Sequence, residues 1–419
     1  MTAPSAGMAV PRELGTDCCI VGGGPAGLML GYLLARAGVS VIVLEKHADF
    51  LRDFRGDTVH PSTMVVMHEL GLLERFLARP HDRVDALAVC VGGTTIRLAD
   101  FRHLAVAAPY IALMPQWDFL DFLAGEARGL DDFRLLMEVE ATGLIEEEGE
   151  VTGVAATSRE GPIEIRAALV VGADGRRSTV RDRSGLEVRD LGAPMDVLWL
   201  RLPRRGGDPD IPLGFVEPGR MFVMIARGDY FQCGYIVAKG ADAPLRAAGL
   251  EAFRASVAGI VPTMADRMAS IESWDEVKTL TVTVDRLTRW ARPGLLCIGD
   301  AAHAMSPVGG VGINLAIQDA VATANLLAGP LRRGRPRLAD LAAVQRRRDP
   351  PTRITQALQV VIQKRVIRAT LEARRPLHAP WPLLAFNRFP ALRRIPARLV
   401  GLGIRPEHVR VPGLTGVTG

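Results

Sequence analysis

Three turns rich in glycine and aspartate hold the residues best suited to chemistry. The first, Gly22-Gly23-Gly24-Pro25-Ala26-Gly27, follows the apolar run Asp17 to Val21, and Glu45 closes the next apolar run eighteen residues after Gly27. Gly22 permits a tight turn, Gly24 lets the backbone approach a pyrophosphate, and Gly27 lets helix and strand pack closely. The helix N-terminus opened by Pro25 and Ala26 supplies a favourable field for phosphates, and Glu45 suits the hydroxyls of a ribose. This pattern does not by itself choose FAD over NAD, and a ligand-free strand–helix turn is its alternative. The second turn is Gly172-Ala173-Asp174-Gly175, continued by Arg176 and Arg177. The third is Gly299-Asp300-Ala301-Ala302-His303.

Each turn needs a strand before it. The first unit is predicted as βαβ: strand Asp17 to Val21, helix from about Pro25 to a C-terminal cap at Gly38, and strand Ser40 to Glu45. Pro61 opens an amphipathic helix ending near Gly71, and another helix runs from about Trp117 to Arg128. Phe133 to Ile145 and Glu150 to Ser158, hinged at Glu148 and Gly149, predict a small meander ending in the apolar run Leu169 to Val171. From Gly185 to Val284 the pattern alternates, most clearly in Met221 to Ala226 and Tyr230 to Val237, as a separate mostly β unit would. Strand Gly294 to Ile298 then returns to the first unit and leads through a glycine loop into a helix from Gly312 to about Leu327. After Pro350 and Pro351 the chain reads as helical and basic.

Totals exclude several classes. At 419 residues, 48% hydrophobic and 23% charged, the chain has the composition of a globular enzyme of two or three subdomains. Its five cysteines show neither a disulfide framework nor a metal-ligand spacing. A net charge of +5, spread over the chain, argues against nucleic acid as a partner. Arg36 and Asp319 interrupt the two longest apolar stretches, so no transmembrane segment is expected. Residues 1–16 lack the pattern of an export signal, which makes the cytoplasm the expected compartment. The absence of G-x-S-x-G removes the usual support for hydrolysis.

The three turns, in this order and at this separation, resemble the para-hydroxybenzoate hydroxylase family of class A flavin monooxygenases, including its ubiquinone-biosynthesis branch. The resemblance covers about residues 15 to 330. It implies an α/β fold: an FAD-binding Rossmann-like domain of the glutathione-reductase type, with an inserted mostly β substrate domain and C-terminal helices. On this chain the FAD domain would occupy 15–184 and 285–349, the substrate domain 185–284 and the helical region 350–419. The resemblance further implies that Asp300 binds the ribityl chain, and that Asp174 and Gly175 serve both FAD and the nicotinamide cofactor. Arg36 would lie near the adenosine phosphates and Arg55 in the loop after Glu45, with Lys46 and Val139 beside the same cofactor. The loop Pro307 to Asn314 would border the isoalloxazine. There Pro307 stiffens the chain, Gly309, Gly310 and Gly312 bare backbone amides that can stabilise negative charge on a reduced flavin, Asn314 adds a side-chain hydrogen bond, and Ile313 is a further cofactor-binding position. Gln116 stands where many relatives carry Arg, either as a cofactor contact or as a helix start.

The implied activity is NAD(P)H-consuming hydroxylation of an aromatic or apolar small molecule by O2, through a C4a-hydroperoxyflavin on non-covalent FAD. NADH and NADPH are not distinguished, nor is hydroxylation from epoxidation or Baeyer–Villiger chemistry, nor monomer from homodimer. Pro307 and His303 are the catalytic candidates, with a packing role as the alternative for His303. His60 and Asp57 either approach the flavin or orient the helix at Pro61. Phe215, Phe222, Met224, Phe231 and Tyr235 are candidates for the substrate-side sheet, with ordinary core as the alternative. Competing readings are a reductase or oxidase of the same fold and a flavin electron-transfer or sensor protein. For the basic C-terminal helices, peripheral membrane contact competes with simple solvation.

Overall fold

Cys18 to Val21 are apolar on both faces of their strand, a pattern that a parallel sheet covered on both sides accommodates. The computed structural model, which describes residues 12–51, 58–208 and 213–411, buries all four. Strand Arg12–Val21 lies between Gly161–Gly172 and Val41–Glu45. The parallel sheet continues to Leu295–Cys297 on one side and Phe133–Met137 on the other. Register then sets the site: Val21 stands beside Gly172, and Gly172 beside Cys297. All three turns therefore leave the same edge of the sheet from adjacent strands.

The segment expected as one strand from Phe133 to Ile145 is two. Glu138, at φ 58°, breaks it, so Phe133–Met137 joins the parallel sheet and the meander begins at Glu140. A second, seven-stranded sheet runs in the order Lys278–Leu280, Met195–Pro203, Tyr230–Ala238, Arg220–Arg227, Leu213–Glu217, Ala86–Val91, Thr94–Asp100. Its last two strands come from the stretch expected to belong wholly to the FAD domain. They are recruited by parallel pairing of Ala86–Val91 with Leu213–Glu217.

Helix Gly312–Arg332 packs along the first helix, Pro25–Arg36. Among the described residues its segment is the one long and apolar enough to cross a membrane, yet 72% of that window is buried inside the protein. The boundary expected at residue 350 falls within a single helix, Leu338–Ile362, which contains Pro350 and Pro351. Both prolines lack the N–H that would close a helical turn. Tertiary bonds on either side hold the helix: Trp290 N donates to Gln345 Oε1 at 3.0 Å, and Gln356 Nε2 donates to Asp285 O at 2.8 Å.

A fully buried charge cluster joins these helices to the third turn. Asp319 Oδ2 lies 2.6 Å from His303 Nε2 and accepts from Gly299 N at 3.1 Å, while Oδ1 accepts from Arg348 Nε at 3.0 Å. Arg348 Nη1 reaches Glu407 Oε1 at 3.0 Å, tying in the C-terminal segment. His303 is thus corrected from catalytic base to packing residue: its ring is buried between Asp319 and Trp290, whose ring centroid is 4.9 Å away. Burial alone would lower the imidazole pKa, but the Asp319 carboxylate outweighs it and raises the pKa. Burial alone would raise the Asp319 pKa, but His303 and Arg348 hold it below the usual carboxylate value.

Asp319→Asn should destabilise the fold by about 3–5 kcal/mol, because buried Arg348 and His303 lose the carboxylate they share. Thermal melts across pH test the coupling. Because the folded imidazole pKa is raised, its stabilisation is complete below the unfolded value near 6.5 and is lost as pH rises through the folded value. In Asp319→Asn burial, aided by the Arg348 charge, outweighs the pull of Asp300 on the imidazole, so this part of the slope should reverse sign.

Candidate active site

Gly22 adopts φ 109°, and a Cβ there would stand 2.4 Å from Ala173 O; a Cβ at Gly27 would stand 1.9 Å from Gly22 O. Both positions exclude a side chain. Gly24 faces open space, with no atom within 4 Å of a built Cβ, and it precedes a helix that no side chain caps. The first amides of that helix keep their donors for a ligand. Glu45 is buried at the end of its strand, accepting from Gly23 N at 3.2 Å and from His47 N at 3.0 Å, with His47 Nδ1 at 2.6 Å. Val139 N donates to Glu45 O at 3.0 Å and so braces the strand end, whereas Lys46 is exposed. Open backbone, uncapped amides and a fixed carboxylate together fit the diphosphate and ribose of a dinucleotide.

In the second turn, Gly175 takes φ 82° and the Asp174 carboxylate is engaged locally, by Ser178 Oγ and by Val180 N at 3.1 Å. The residue that reaches outward is Arg176, to which sequence reasoning attached no role. Its Nε donates to Asp300 Oδ2 at 3.0 Å and its Nη2 to Met305 O at 3.1 Å, while Nη1 is buried without a protein partner. Arg176 thereby joins the second turn to the third, and its orphaned nitrogen suits an acceptor on a bound cofactor. The available signal was a cation two residues after an aspartate turn.

The loop after Pro307 is unwound by Gly309 and Gly310, at φ 82° and 62°. A Cβ at Gly310 would lie 2.7 Å from Thr58 Oγ1, which donates to Gly310 O at 3.0 Å. Asn314, expected as a flavin hydrogen bonder, ties the loop to the segment from Thr58 to Thr63. Its Oδ1 accepts from His60 N at 2.9 Å and Thr63 Oγ1 at 2.7 Å, and Nδ2 points to Thr58 O and Gly310 O, both at 3.4 Å. Gly312 and Ile313 stay partly open at the start of the next helix, which no side chain caps. Three buried glutamines on one face of helix Leu338–Ile362 and its continuation clamp the approach to this loop. Gln356 Nε2 donates to Ala304 O at 3.1 Å, Gln359 Nε2 to Ser306 O at 3.1 Å and Val308 O at 2.8 Å, and Gln363 Nε2 to Ser306 Oγ at 2.7 Å. Sequence reasoning missed all three, although polar residues at i, i+3 and i+7 of a helix were the available sign.

His60 is buried and its pKa is pushed down to about 4 by that burial, so the ring is neutral; Nδ1 donates to Val400 O at 2.8 Å. Arg36 is corrected: as the last residue of the first helix it lies roughly 16 Å along the axis from the phosphate end, at about 1.5 Å per residue. It donates to Tyr32 Oη at 3.0 Å. Arg55 and Asp57 fall outside the described residues. Gln116, half-buried, is the first residue of helix Gln116–Arg128.

The alternation expected in the second sheet holds, and the five side chains expected to face substrate take the alternative role of ordinary core. Phe222, Met224, Phe231 and Tyr235 are core, packed with Phe215 against Phe253 and Val257 of helix Leu250–Ile260. The opposite face carries Met221 paired with Ile236 and Val223 paired with Gly234. That face clusters with Trp199 and with Val308 of the glycine loop. Both faces are apolar, so periodicity could not choose between them.

Residues 15–357 match the family described as FAD binding domain. The chain is 34% identical over 409 residues to a 6-methylpretetramide 4-monooxygenase of Streptomyces rimosus, with 94% of each chain covered. It is 31% identical over 310 residues to a rifampicin monooxygenase of Streptomyces venezuelae, covering 73% of this chain and 62% of that one. The solved structure of OxyS anhydrotetracycline hydroxylase from Streptomyces rimosus matches with a TM-score of 0.73 at 25% identity, over 94% of this chain and 77% of that one. With its nucleotide cradle, its paired aspartate turns and its glycine loop on one sheet edge, the chain belongs to the FAD binding domain family and is a flavin-dependent monooxygenase.

Proposed function

We propose that this enzyme hydroxylates an aromatic small molecule held between the Pro307–Asn314 loop and the outer face of the second sheet, with NADH or NADPH as electron donor and O2 as oxidant. One observation carries the reading: Val308 of the loop packs in the same cluster as Trp199, Met221, Val223 and Ile236. FAD, when bound and reduced, supplies the activation of dioxygen. The remaining work falls to the chain. The amides after Gly24 bind the diphosphate, Glu45 orients the ribose, and Asp300, held in place by its 3.0 Å bond from Arg176 Nε, binds the polyol. The amides of Gly312 and Ile313, at a helix N-terminus, stabilise negative charge on the ring system. The apolar wall keeps water from the reacting atoms. The Trp199 indole nitrogen, buried without a partner, is placed to donate to a substrate oxygen. Because the sequence contains a single G-x-G-x-x-G strand–helix unit, the nicotinamide binds transiently.

The test is spectroscopic. The purified chain should take up FAD, bleach on anaerobic addition of NADH or NADPH faster when an aromatic substrate is present, and on admission of air yield hydroxylated product. The compound named for the relative matched end to end, 6-methylpretetramide, is the first to try. Bound FAD that neither nicotinamide reduces, with any phenol tested, would overturn the reading. Two substitutions separate wall from core. Val223→Phe should raise KM at least about tenfold at unchanged melting temperature, whereas Phe222→Ala should lose about 3–5 kcal/mol of stability with little change in KM. Gln359→Ala leaves Ser306 N and two carbonyls unsatisfied, at about 1–3 kcal/mol for a lost buried partner. It should weaken FAD binding and raise the peroxide released per nicotinamide oxidised.

A further inference from the structure

The C-terminal helices form a surface that the monooxygenase reaction does not use. Helices Trp381–Arg388 and Arg394–Gly401 both lie against strand Thr94–Asp100. The second is fixed in place: His60 donates to Val400 O at 2.8 Å, and a Cβ on Gly401 would stand 3.0 Å from Leu104 and 3.3 Å from Pro61. The outer side of the pair nevertheless exposes large apolar groups, with Trp381 80% exposed, Phe389 58%, Ile395 61% and Leu399 41%. Isolated exposed apolar residues need no explanation, but a run of them on two adjoining helices does.

Charge on this face is one-sided, in contrast to the even spread that the chain total suggested. Residues 373–406 contain seven arginines, among them Arg388, Arg394 and Arg398, and no Asp or Glu, in a chain whose total net charge is only +5. The remainder is therefore net acidic. The carboxylates nearest in the fold are already engaged: Asp100 pairs with Arg102 through both oxygens, and Glu407 with Arg347 and Arg348. Arg388 lies 6.0 Å over the Phe389 ring, so a cationic and an aromatic group adjoin here.

We propose that this face docks on an anionic phospholipid bilayer, with Trp381, Phe389 and Ile395 entering the interface and the arginines meeting headgroup phosphates. Aromatic and aliphatic groups on one side of short helices, flanked by arginine, are the physical requirements for lying in a membrane interface. A second copy of the chain on this face would bring two strongly cationic surfaces together, whereas anionic lipid relieves the repulsion. Because the helices are rigidly attached to the Pro61 helix beside the glycine loop, docking holds the enzyme in one orientation. The proposal rests on the fold and its charges and not on the reaction assigned above.

The experiment uses the full FAD-loaded chain and sucrose-loaded vesicles, of phosphatidylcholine alone or mixed with phosphatidylglycerol. The enzyme should sediment with the mixed vesicles, stay in solution with phosphatidylcholine alone, and be released by high salt. Arg394→Gln and Arg398→Gln should each lower partitioning about fivefold. Phe389→Asp and Ile395→Asp should lower it further, with FAD content and turnover of soluble substrate unchanged. Failure to sediment with anionic vesicles would sink the proposal. So would binding that the arginine changes abolish but Phe389→Asp and Ile395→Asp leave intact, since that is charge attraction without insertion. A dimer in sedimentation velocity that Ile395→Asp dissociates would assign the face to a second copy instead.

Discussion

The site depends first on the parallel register that sets Val21, Gly172 and Cys297 side by side. Ala173 N donates to Val21 O at 2.8 Å and Ile298 N to Gly172 O at 2.9 Å, so each turn begins one residue beyond a ladder bond to its neighbour. Packing at this edge leaves no room for adjustment: a Cβ on Gly172 would stand 2.8 Å from Val180 Cγ1 and 3.2 Å from Cys297 Sγ. The glycines do not merely permit turns. They let three backbones converge at one sheet edge where, in open α/β sheets, ligands bind.

Having brought the turns together, the fold must keep the irregular segments between them still. The stretch from Ala304 to Asn314 has little regular structure, and it is held by amide side chains, with Gln356, Gln359 and Gln363 on one flank and Asn314 on the other. In a water-excluded setting an unmet backbone group is costly, so such bonds are decisive for position. The Asp319 cluster works on the same principle at the base of the third turn, binding Gly299 N, the His303 imidazole and the Arg348 guanidinium with one carboxylate. Buried ion pairs do little for net stability, but they allow one arrangement. The rigid geometry serves a chemistry in which the cofactor reacts and the protein orients and excludes water.

The second sheet divides its labour by face. One side is sealed by helix Leu250–Ile260 and gives the sheet its own core. The other turns Val197, Val223 and Ile236 toward the cluster that includes Val308. Strands Ala86–Val91 and Thr94–Asp100, drawn from early in the chain, extend this sheet and carry the C-terminal helices on it. Cofactor edge, apolar wall and outer cationic face are therefore parts of one packed body, linked through His60 and Val400 on one side and Arg348 and Glu407 on the other.

What the amino-acid sequence determined by itself was whatever rests on local chemistry. The glycine turn with its strand, helix and acidic partner, the cap at Gly38, the β alternation and the strand runs other than Phe133 to Ile145 all follow from backbone sterics and side-chain period, and the structure reproduces them. Only the tertiary structure decided which face of an alternating strand packs on helix Leu250–Ile260 and which clusters with Val308, since Phe222 and Val223 are equally apolar. The same holds for the partners of buried charge: His303 has the look of a base until Asp319, sixteen residues on, is seen 2.6 Å away. Residue 350 reads as a domain boundary, yet Pro350 and Pro351 lie inside one helix that side-chain bonds tie to other parts of the chain on either side. In each case the deciding interaction joins residues far apart in sequence, and its energy is set by burial that no local pattern records.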